Sequence, residues 1–285
     1  MKSYADPDHI VSRMELLDFM NGRTEEEDLS WISPVGHNIS KEMLISLPKD
    51  NLEYWYQNRS EFENIAGRRL RIADIGCGEG DLTKSLANEY SGADVFGIDI
   101  SAEAIKSSII NLDDLDNGFA IGGDANQILP ELRDFDFIYA INVVQDSKNP
   151  IKFLHNLENS LRDGGFMVIT APGEEALKMF PEHRNFDDEK GLPYMIMENI
   201  DTEDSKIHWK QYAIPKEDMH KLVAETDLKI VESGNLRADA TGLSDLMELL
   251  EKEERKEEAR KIERLQQKNP KSGPSVNYYL MRKKQ

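Results

Sequence analysis

The sequence predicts an α/β fold: a doubly wound sheet of seven strands, mostly parallel, with an antiparallel C-terminal edge strand and an N-terminal helical cap. Between residues 70 and 170, short apolar segments alternate with segments whose apolar residues recur at helical spacing, as in a parallel sheet covered by helices. A glycine-rich turn, "GCGEG" at 76–80, joins the first strand to the first helix. The segment "SVNYYLMRKK" at 275–284 alternates enough to form a final edge strand, protected by its lysine and arginine residues.

The predicted elements follow one another in a regular order. Five strands are expected at 70–75, 94–98, 118–122, 135–141 and 165–170, with helices near 81–90, 101–112, 126–132 and 150–162. The last of these helices has clear boundary residues: Asn149 can cap it, Pro150 suits its first position, and Gly164 lies just beyond its end. A helix near 216–226 and a strand near 228–233 precede the edge strand and complete the set.

Three further segments surround this framework. Residues 1–68 are predicted to form the helical cap, in which Asp8 caps a helix whose apolar face contains Val11. Residues 69–285 form the main domain, and its segment 171–207 contains Pro, Gly and mixed charge, which is typical of an irregular, lid-like insertion. A highly charged helix is expected at 243–268, packed at its start and solvated beyond, with an oligomer contact as the alternative.

Composition narrows the class of protein. The formal net charge is −19, which repels phosphate backbones, so nucleic acid is an unlikely partner. The chain has one cysteine, which favours a cytoplasmic protein without an internal disulfide, and no apolar stretch of membrane-spanning length. The expected state is a monomer or a homodimer with no membrane partner.

The glycine turn predicts a nucleotide-like ligand at the N-terminus of the first helix. A dinucleotide fits poorly, because Asp81 stands where the third glycine of the fingerprint G-x-G-x-x-G would be. No Gly-Lys-Ser/Thr sequence is present, so a phosphate-binding P-loop is excluded as well. An adenosine without phosphates is the better ligand.

The segment "DIGCGEG" at 74–80 resembles the motif D/E-x-G-x-G-x-G of the class I S-adenosylmethionine-dependent methyltransferases. The segments "FDFIYAINVV" (135–144) and "LENSLRDGGFMVIT" (157–170) resemble later motifs of that family, in the same order. The resemblance implies S-adenosylmethionine as the cofactor and S-adenosylhomocysteine as the product. It also implies a set of cofactor-binding residues: Asp74, Gly76, Cys77, Gly78, Gly80, Asp99, Ile100, Asp124, Ala125, Ile141 and Asn142.

Two acidic residues receive specific roles from this resemblance. Asp99, at the tip of the second strand, would accept both ribose hydroxyls; a helix cap is the alternative, but Ser101 is better placed for capping. Asp124 would accept the adenine amino group, and Ala125 would donate its backbone amide to the base. The alternative for Asp124 is a simple aspartate turn.

The acceptor is predicted to be a small-molecule metabolite. The segment "INVVQDS" at 141–147 lacks the prolines and the aromatic residue of methylases that act on base amino groups. It carries Gln145 and Asp146 where many small-molecule members have histidine, so that histidine's role cannot be transferred. No metal is predicted. The alternatives are a methyltransferase acting on tRNA or protein, and a non-catalytic regulatory subunit that binds S-adenosylmethionine.

Candidate catalytic and acceptor-binding residues come from segments expected near the cofactor. His208 is the first candidate for a general base and His37 the second; an ordinary loop histidine is the alternative for each. The candidates for acceptor binding are aromatic: Tyr54, Trp55, Tyr56, Trp209 and Tyr212. For the first three, an aromatic helix face packed on the sheet is the alternative.

Overall fold

The computed structural model describes residues 10–12, 69–173, 184–202, 205–237 and 275–284. Most of the predicted N-terminal cap lies outside the described residues, and with it His37, Tyr54, Trp55 and Tyr56. The predicted charged helix at 243–268 also lies outside them. The roles of these segments and residues therefore stay predictions.

Eleven strands and five α-helices are described. In chain order they are β1 (Ile10–Ser12), β2 (Leu70–Ile75), α1 (Asp81–Glu89), β3 (Ala93–Asp99), α2 (Ala102–Leu112), β4 (Gly118–Gly122), α3 (Ala125–Ile128), β5 (Phe135–Ile141), α4 (Pro150–Ser160), β6 (Leu161–Pro172), β7 (Arg184–Asp187), β8 (Leu192–Thr202), β9 (Ser205–Tyr212), α5 (Lys216–Ala224), β10 (Leu228–Arg237) and β11 (Ser275–Lys283), with a 3-10 turn at Val144–Asp146 between β5 and α4.

The main sheet has seven strands in the order β10-β11-β6-β5-β2-β3-β4. Strands β2 to β6 pair parallel with one another, and β11 is antiparallel to both β6 and β10. Alternating residues of β2 face two separate cores. Ile72 packs with Leu86 of α1, whereas Ile75 packs with Leu154 of α4. Helices on both faces make this the predicted doubly wound fold.

The helix boundaries show how local sequence specifies these elements. Asn149 accepts a hydrogen bond from the Lys152 amide at 3.0 Å, and Pro150 begins α4, as predicted. Ser101 caps α2 by accepting from the Ala104 amide at 3.2 Å. Gly164 does not end α4, because β6 already begins at Leu161 and includes Gly164.

The predicted antiparallel C-terminal strand is confirmed as β11, and its position needs one correction. It lies between β6 and β10, so β10 and not β11 forms the edge of the sheet. Val276, Leu280 and Met281 are buried, which suits an interior strand. The Lys283 ammonium donates to the Leu161 carbonyl at 2.8 Å, so this lysine binds the neighbouring strand and does not guard an open edge.

The insertion at 171–207 and the N-terminus also differ from expectation. The described part of the insertion is not irregular: β7, β8 and β9 pair antiparallel in a second sheet of order β1-β9-β8-β7. Residues Ile10–Ser12 form a strand parallel to β9 and not the helical turn expected around Val11. Pairing with β9, almost 200 residues away along the chain, overrides the local helical pattern at this point.

Candidate cofactor and acceptor site

The glycine turn lies at the carboxyl end of β2, where open parallel sheets bind ligands. Gly76, Gly78 and Gly80 have φ of 73°, 55° and 84°. The amides of Gly76 and Cys77 both donate to the Ile98 carbonyl, at 2.7 and 3.2 Å. The turn is therefore fastened to the neighbouring strand β3.

Gly76 and Gly78 are glycine for different reasons. A Cβ added to Gly76 would collide with the Cγ2 methyl of Val143, so this glycine lets the loop after β5 approach closely. Among the described residues, a Cβ on Gly78 would meet nothing within 4 Å. The positive φ at Gly78 and the open space beside it fit a ligand that approaches the backbone.

Asp99, at the end of β3, holds the turn directly. Its Oδ2 accepts from the Gly78 amide at 2.9 Å, and its Oδ1 accepts from the Ser101 amide at 2.8 Å. The carboxylate is therefore oriented beside the open space at Gly78. A carboxylate oxygen can accept more than one hydrogen bond, so both oxygens keep capacity for hydroxyl donors. The contact with Gly78 was not predicted from the sequence.

Asp74 is buried below the turn, with only 1% of its surface exposed. Its Oδ2 accepts from the Thr83 hydroxyl of α1 at 2.7 Å. Burial raises the pKa of Asp74 to about 7; the bond from Thr83 opposes this rise, and the charge of Asp99 adds to it. The described contacts of Asp74 therefore fix α1 against β2.

The two residues assigned to the adenine ring lie at the carboxyl end of β4. Asp124 caps α3, its Oδ1 accepting from the Asn126 amide at 2.8 Å, which is the aspartate turn named above as the alternative. The Gly123 amide donates to the Asp99 carbonyl at 2.8 Å and so ties this loop to β3. Ala125 is the first residue of α3, where an amide has no acceptor within its own helix.

The loop after β5 contributes a strained and buried residue. Asn142 has a φ of 54° and is 6% exposed; its amide donates to both the carbonyl and the hydroxyl of Thr170, at 3.1 Å each. Gln145 is fully buried and donates from Nε2 to the Asn142 carbonyl at 2.6 Å. Within the described structure, Asn142 Nδ2 and Gln145 Oε1 have no hydrogen-bond partner. Buried polar atoms of this kind are rare, and a ligand or a water molecule could satisfy both.

A group of charged and aromatic side chains lies on the second sheet, and we call it the hairpin cluster: Asp187, Lys190, Tyr194, Lys210 and Tyr212. The Tyr212 hydroxyl donates to Asp187 Oδ2 at 2.7 Å, and Lys210 Nζ lies 3.2 Å from the same oxygen. The Lys190 ammonium lies 3.8 Å from the centroid of the Tyr212 ring. None of this cluster except Tyr212 was predicted.

The ionisation of the hairpin cluster follows from these contacts. Burial opposes ionisation of Asp187, but hydrogen bonds from Tyr212, the Lys190 amide and Lys210 outweigh it and lower its pKa to about 2. Burial raises the pKa of Tyr212, and the bond to Asp187 raises it further. Asp187 is thus an anion at neutral pH, and Tyr212 remains a neutral hydrogen-bond donor.

The hairpin cluster adjoins the loop after β5. Tyr212 and Val144 belong to one buried core, and the Ile214 amide donates to the Pro172 carbonyl at 2.8 Å, at the carboxyl end of β6. The charge of Asp146 acts on both Lys190 and Tyr212. Since Val143 of the same loop meets Gly76, the loop connects the glycine turn to the hairpin cluster.

The remaining predicted residues are placed as follows. Ile100 directly follows Asp99, and Ile141 ends β5 beside one of the two cores. Cys77 lies in the glycine turn, where burial and the charges of Asp74 and Asp99 raise its pKa, so it is not a nucleophile at neutral pH. His208 and Trp209 lie within β9, where His208 pairs with Glu198 at the backbone. His208 is four residues from Tyr212, about 13 Å along an extended strand.

The described residues contain neither a cluster of side chains that could bind a metal ion nor a membrane-spanning helix. No group of three or more His, Cys, Asp or Glu side chains among them is arranged as metal ligands would be. None of the helices described here is long and apolar enough to cross a membrane.

Comparison with known proteins gives a match to the central part of the chain. A family model described as a methyltransferase domain matches residues 67–227. The tRNA U34 carboxymethyltransferase of Idiomarina loihiensis is 28% identical over 141 residues, covering 46% of this chain and 42% of that protein. The ubiquinone biosynthesis O-methyltransferase of Caulobacter sp. strain K31 is 33% identical over 104 residues, covering 35% and 40%.

A solved structure shows the same fold. The N-methyltransferase NodS from Bradyrhizobium japonicum, in complex with S-adenosylhomocysteine, superposes with a TM-score of 0.50 at 12% identity, covering 96% of this chain and all of that one. The chain spans less than half the length of the two curated relatives above. Because the family model matches more than half of the 285 residues, the chain belongs to the class I S-adenosylmethionine-dependent methyltransferases, and the predicted cofactor and enzyme class are confirmed at the level of the family.

Proposed function

We propose that this protein transfers the methyl group of S-adenosylmethionine to a small-molecule acceptor. The observation that carries the proposal is the arrangement of the glycine turn. Gly78 leaves space for a ligand among the described residues, and the Asp99 carboxylate beside it is oriented by two backbone amides. The loop after β5, whose Val143 lies beside Gly76, also packs in the buried core that contains Tyr212 of the hairpin cluster. The proposed cofactor side is the glycine turn, and the proposed acceptor side is the hairpin cluster.

On the cofactor side, Asp99 would bind the ribose hydroxyls, and Asp124 with Ala125 would bind the adenine. The N-terminal end of α1 favours the carboxylate of the methionine moiety. The bound cofactor supplies a methyl group on a positively charged sulfur, which is already a strong electrophile. The protein's own contribution is then positioning, which can lower a barrier by several kcal/mol.

On the acceptor side, a general base is needed only when the nucleophilic atom must lose a proton, as a hydroxyl does. His208 and His37 remain the proposed candidates. Tyr212 is poorly suited, because its hydroxyl donates to Asp187 and its pKa is raised. Its proposed role is to shape the acceptor pocket together with Trp209.

A small acceptor is favoured by the charge of the chain and by one of the relatives. With a net charge of −19, the protein repels a phosphate backbone. The relative named for ubiquinone biosynthesis matches about a third of this chain. The single cysteine is the basis for proposing a cytoplasmic location.

A tRNA acceptor is the second candidate, because the relative from Idiomarina loihiensis is named as a tRNA U34 carboxymethyltransferase. It would require a local basic surface on a strongly acidic protein. A protein acceptor and a regulatory subunit without catalytic activity are the remaining alternatives.

One labelling experiment separates these functions. The full chain is incubated with S-adenosylmethionine carrying a labelled methyl group, first with a metabolite extract and then with total tRNA or total protein. Label in small molecules is the expected result. Label in tRNA or protein would contradict the small acceptor, and cofactor binding without any transfer would indicate a regulatory subunit. The Asp99→Ala variant serves as the control for the site.

A further inference from the structure

Lys190 is a part-buried cation whose contact among the described residues is a ring and not a carboxylate. Its Nζ lies over the Tyr212 ring at 3.8 Å from the centroid. The ion pair described within the hairpin cluster belongs to the other lysine, since Lys210 Nζ lies 3.2 Å from Asp187 Oδ2. For Lys190, no acidic oxygen of the described residues lies within the 4.0 Å of an ion pair.

The position of Lys190 is fixed by its backbone. Its amide donates to Asp187 Oδ1 at 3.1 Å, and the Gly191 amide donates to the Asp187 carbonyl at 2.8 Å. Asp187 in turn holds the Tyr212 hydroxyl, so the ring under the ammonium is fixed as well. The Asp187 carboxylate therefore orients both Lys190 and the Tyr212 ring beneath the Lys190 ammonium.

Both acidic and basic groups act on the charge of Lys190. Burial is the largest effect and lowers the pKa of Lys190. The negative charges of Asp146 and Asp187 raise this pKa, whereas the positive charges of Lys210 and Lys148 lower it further. A cation that has lost part of its hydration without gaining an ion pair is costly, and an anionic ligand would remove that cost.

We infer that Lys190 binds an anionic oxygen group, a carboxylate or a phosphate, on the methyl acceptor. The inference rests on the proposed function and names the class of its substrate. The group would be bound on the proposed acceptor side, because Lys190 covers the Tyr212 ring and is acted on by the charge of Asp146, in the loop after β5. Asp187 and Tyr212 act as positioning residues for Lys190.

The test measures anion binding to the full chain by calorimetry, with and without S-adenosylhomocysteine. The probes are succinate, inorganic phosphate and succinamide, the last being a neutral analogue of succinate. The wild type should bind succinate or phosphate and not succinamide, and the one that binds more tightly identifies the group. Lys190→Gln should weaken that binding about tenfold or more, and Lys190→Arg should retain part of it.

Lys221→Gln is the matched control, because Lys221 is an exposed lysine on α5 paired with Asp218 at 2.8 Å. It should bind anions as the wild type does. The inference is overturned if neither anion binds to the wild type, or if Lys190→Gln and Lys221→Gln behave alike. Titration with S-adenosylmethionine separates failure of the inference about Lys190 from failure of the proposed function. Lys190→Gln should bind S-adenosylmethionine normally. A wild type that fails to bind it would contradict the proposed function and not the inference about Lys190.

Discussion

The Asp99 carboxylate accepts a hydrogen bond from the Gly78 amide at 2.9 Å, across 21 residues of sequence. The residue at the tip of β3 thus holds the turn at the tip of β2. Asp99 therefore stabilises the conformation of the glycine turn, and in the proposed site it also binds the ribose hydroxyls. Replacing Asp99 should affect both the turn and the binding of the ribose.

Asp99→Ala should weaken the binding of S-adenosylmethionine by at least about tenfold, because hydrogen bonds to a charged acceptor are worth roughly 1.5–3 kcal/mol each. The affinity of Asp99→Asn should lie between those of the wild type and Asp99→Ala, since the asparagine amide group has one accepting oxygen in place of two. Calorimetry gives the affinities. Asp94→Asn, on the same strand but paired with Arg69 at 3.2 Å, is the control and should bind normally. Unchanged affinity in Asp99→Ala would remove this residue from the site.

Gly76→Ala and Gly78→Ala should fail in different ways. Both put a side chain at positive φ, but only the Cβ at position 76 collides with Val143. Gly76→Ala should therefore lose mainly stability, and Gly78→Ala mainly cofactor affinity. Thermal unfolding and calorimetry measure the two losses separately. Gly191→Ala is a matched control, because Gly191 has a φ of 66° and no atom of the described part of the chain lies within 4 Å of an added Cβ; it should keep normal cofactor binding.

The elements that depend on a local pattern of residue types were predicted correctly from the sequence. Strands β4 and β5 begin and end at the predicted residues, because their apolar runs are short and bounded by turns. The capping by Asn149 followed from a residue type and its spacing. The glycine turn was found for the same reason.

Contacts between distant segments were not predictable in this way. The order of β10 and β11 depends on β11 pairing with β6, about 110 residues earlier in the chain. The bond between Asp187 and Tyr212 depends on the register of β7, β8 and β9. Alternation within "PYMIM" and "IHWKQY" indicates strands, but mixed charge and proline nearby favoured an irregular insertion.

Asp74→Asn should change how stability depends on pH. The pKa of Asp74 rises from 3.8 to about 7 on folding, so between these values the folded state binds the extra proton. The free energy of unfolding of the wild type should therefore fall as pH rises from about 4 to 7, by at most about 1.4 kcal/mol for each step of one in pH. Asparagine keeps an acceptor for Thr83 without a charge.

The difference between Asp74→Asn and the wild type should thus be small near pH 4 and favour the variant above pH 7. Urea unfolding across this range measures it. Thr83→Val, which removes the hydroxyl that lowers the pKa of Asp74, should extend the fall to higher pH. Parallel pH profiles for the wild type and Asp74→Asn would show that Asp74 does not titrate as described.

Tyr212→Phe should cost about 1.5–3 kcal/mol of stability at neutral pH, because it removes a hydrogen bond to the ionised Asp187 in a largely buried place. That bond helps to lower the pKa of Asp187 from 3.8 to about 2. A lowered pKa means that the folded state releases the proton more readily than the unfolded state. The stability it gives is present above about pH 4 and is lost as pH falls towards 2.

The difference in stability between the wild type and Tyr212→Phe should therefore be largest at neutral pH and shrink as the solution is acidified. Urea unfolding at a series of pH values from neutral down to the acid limit of folding measures it. Tyr194→Phe is the control: the Tyr194 ring packs against Tyr212 at 5.6 Å, but in the described structure its hydroxyl makes no bond to Asp187. Its cost should be small and independent of pH. Equal costs for the two tyrosines would show that packing, and not the bond from Tyr212 to Asp187, holds this hairpin together.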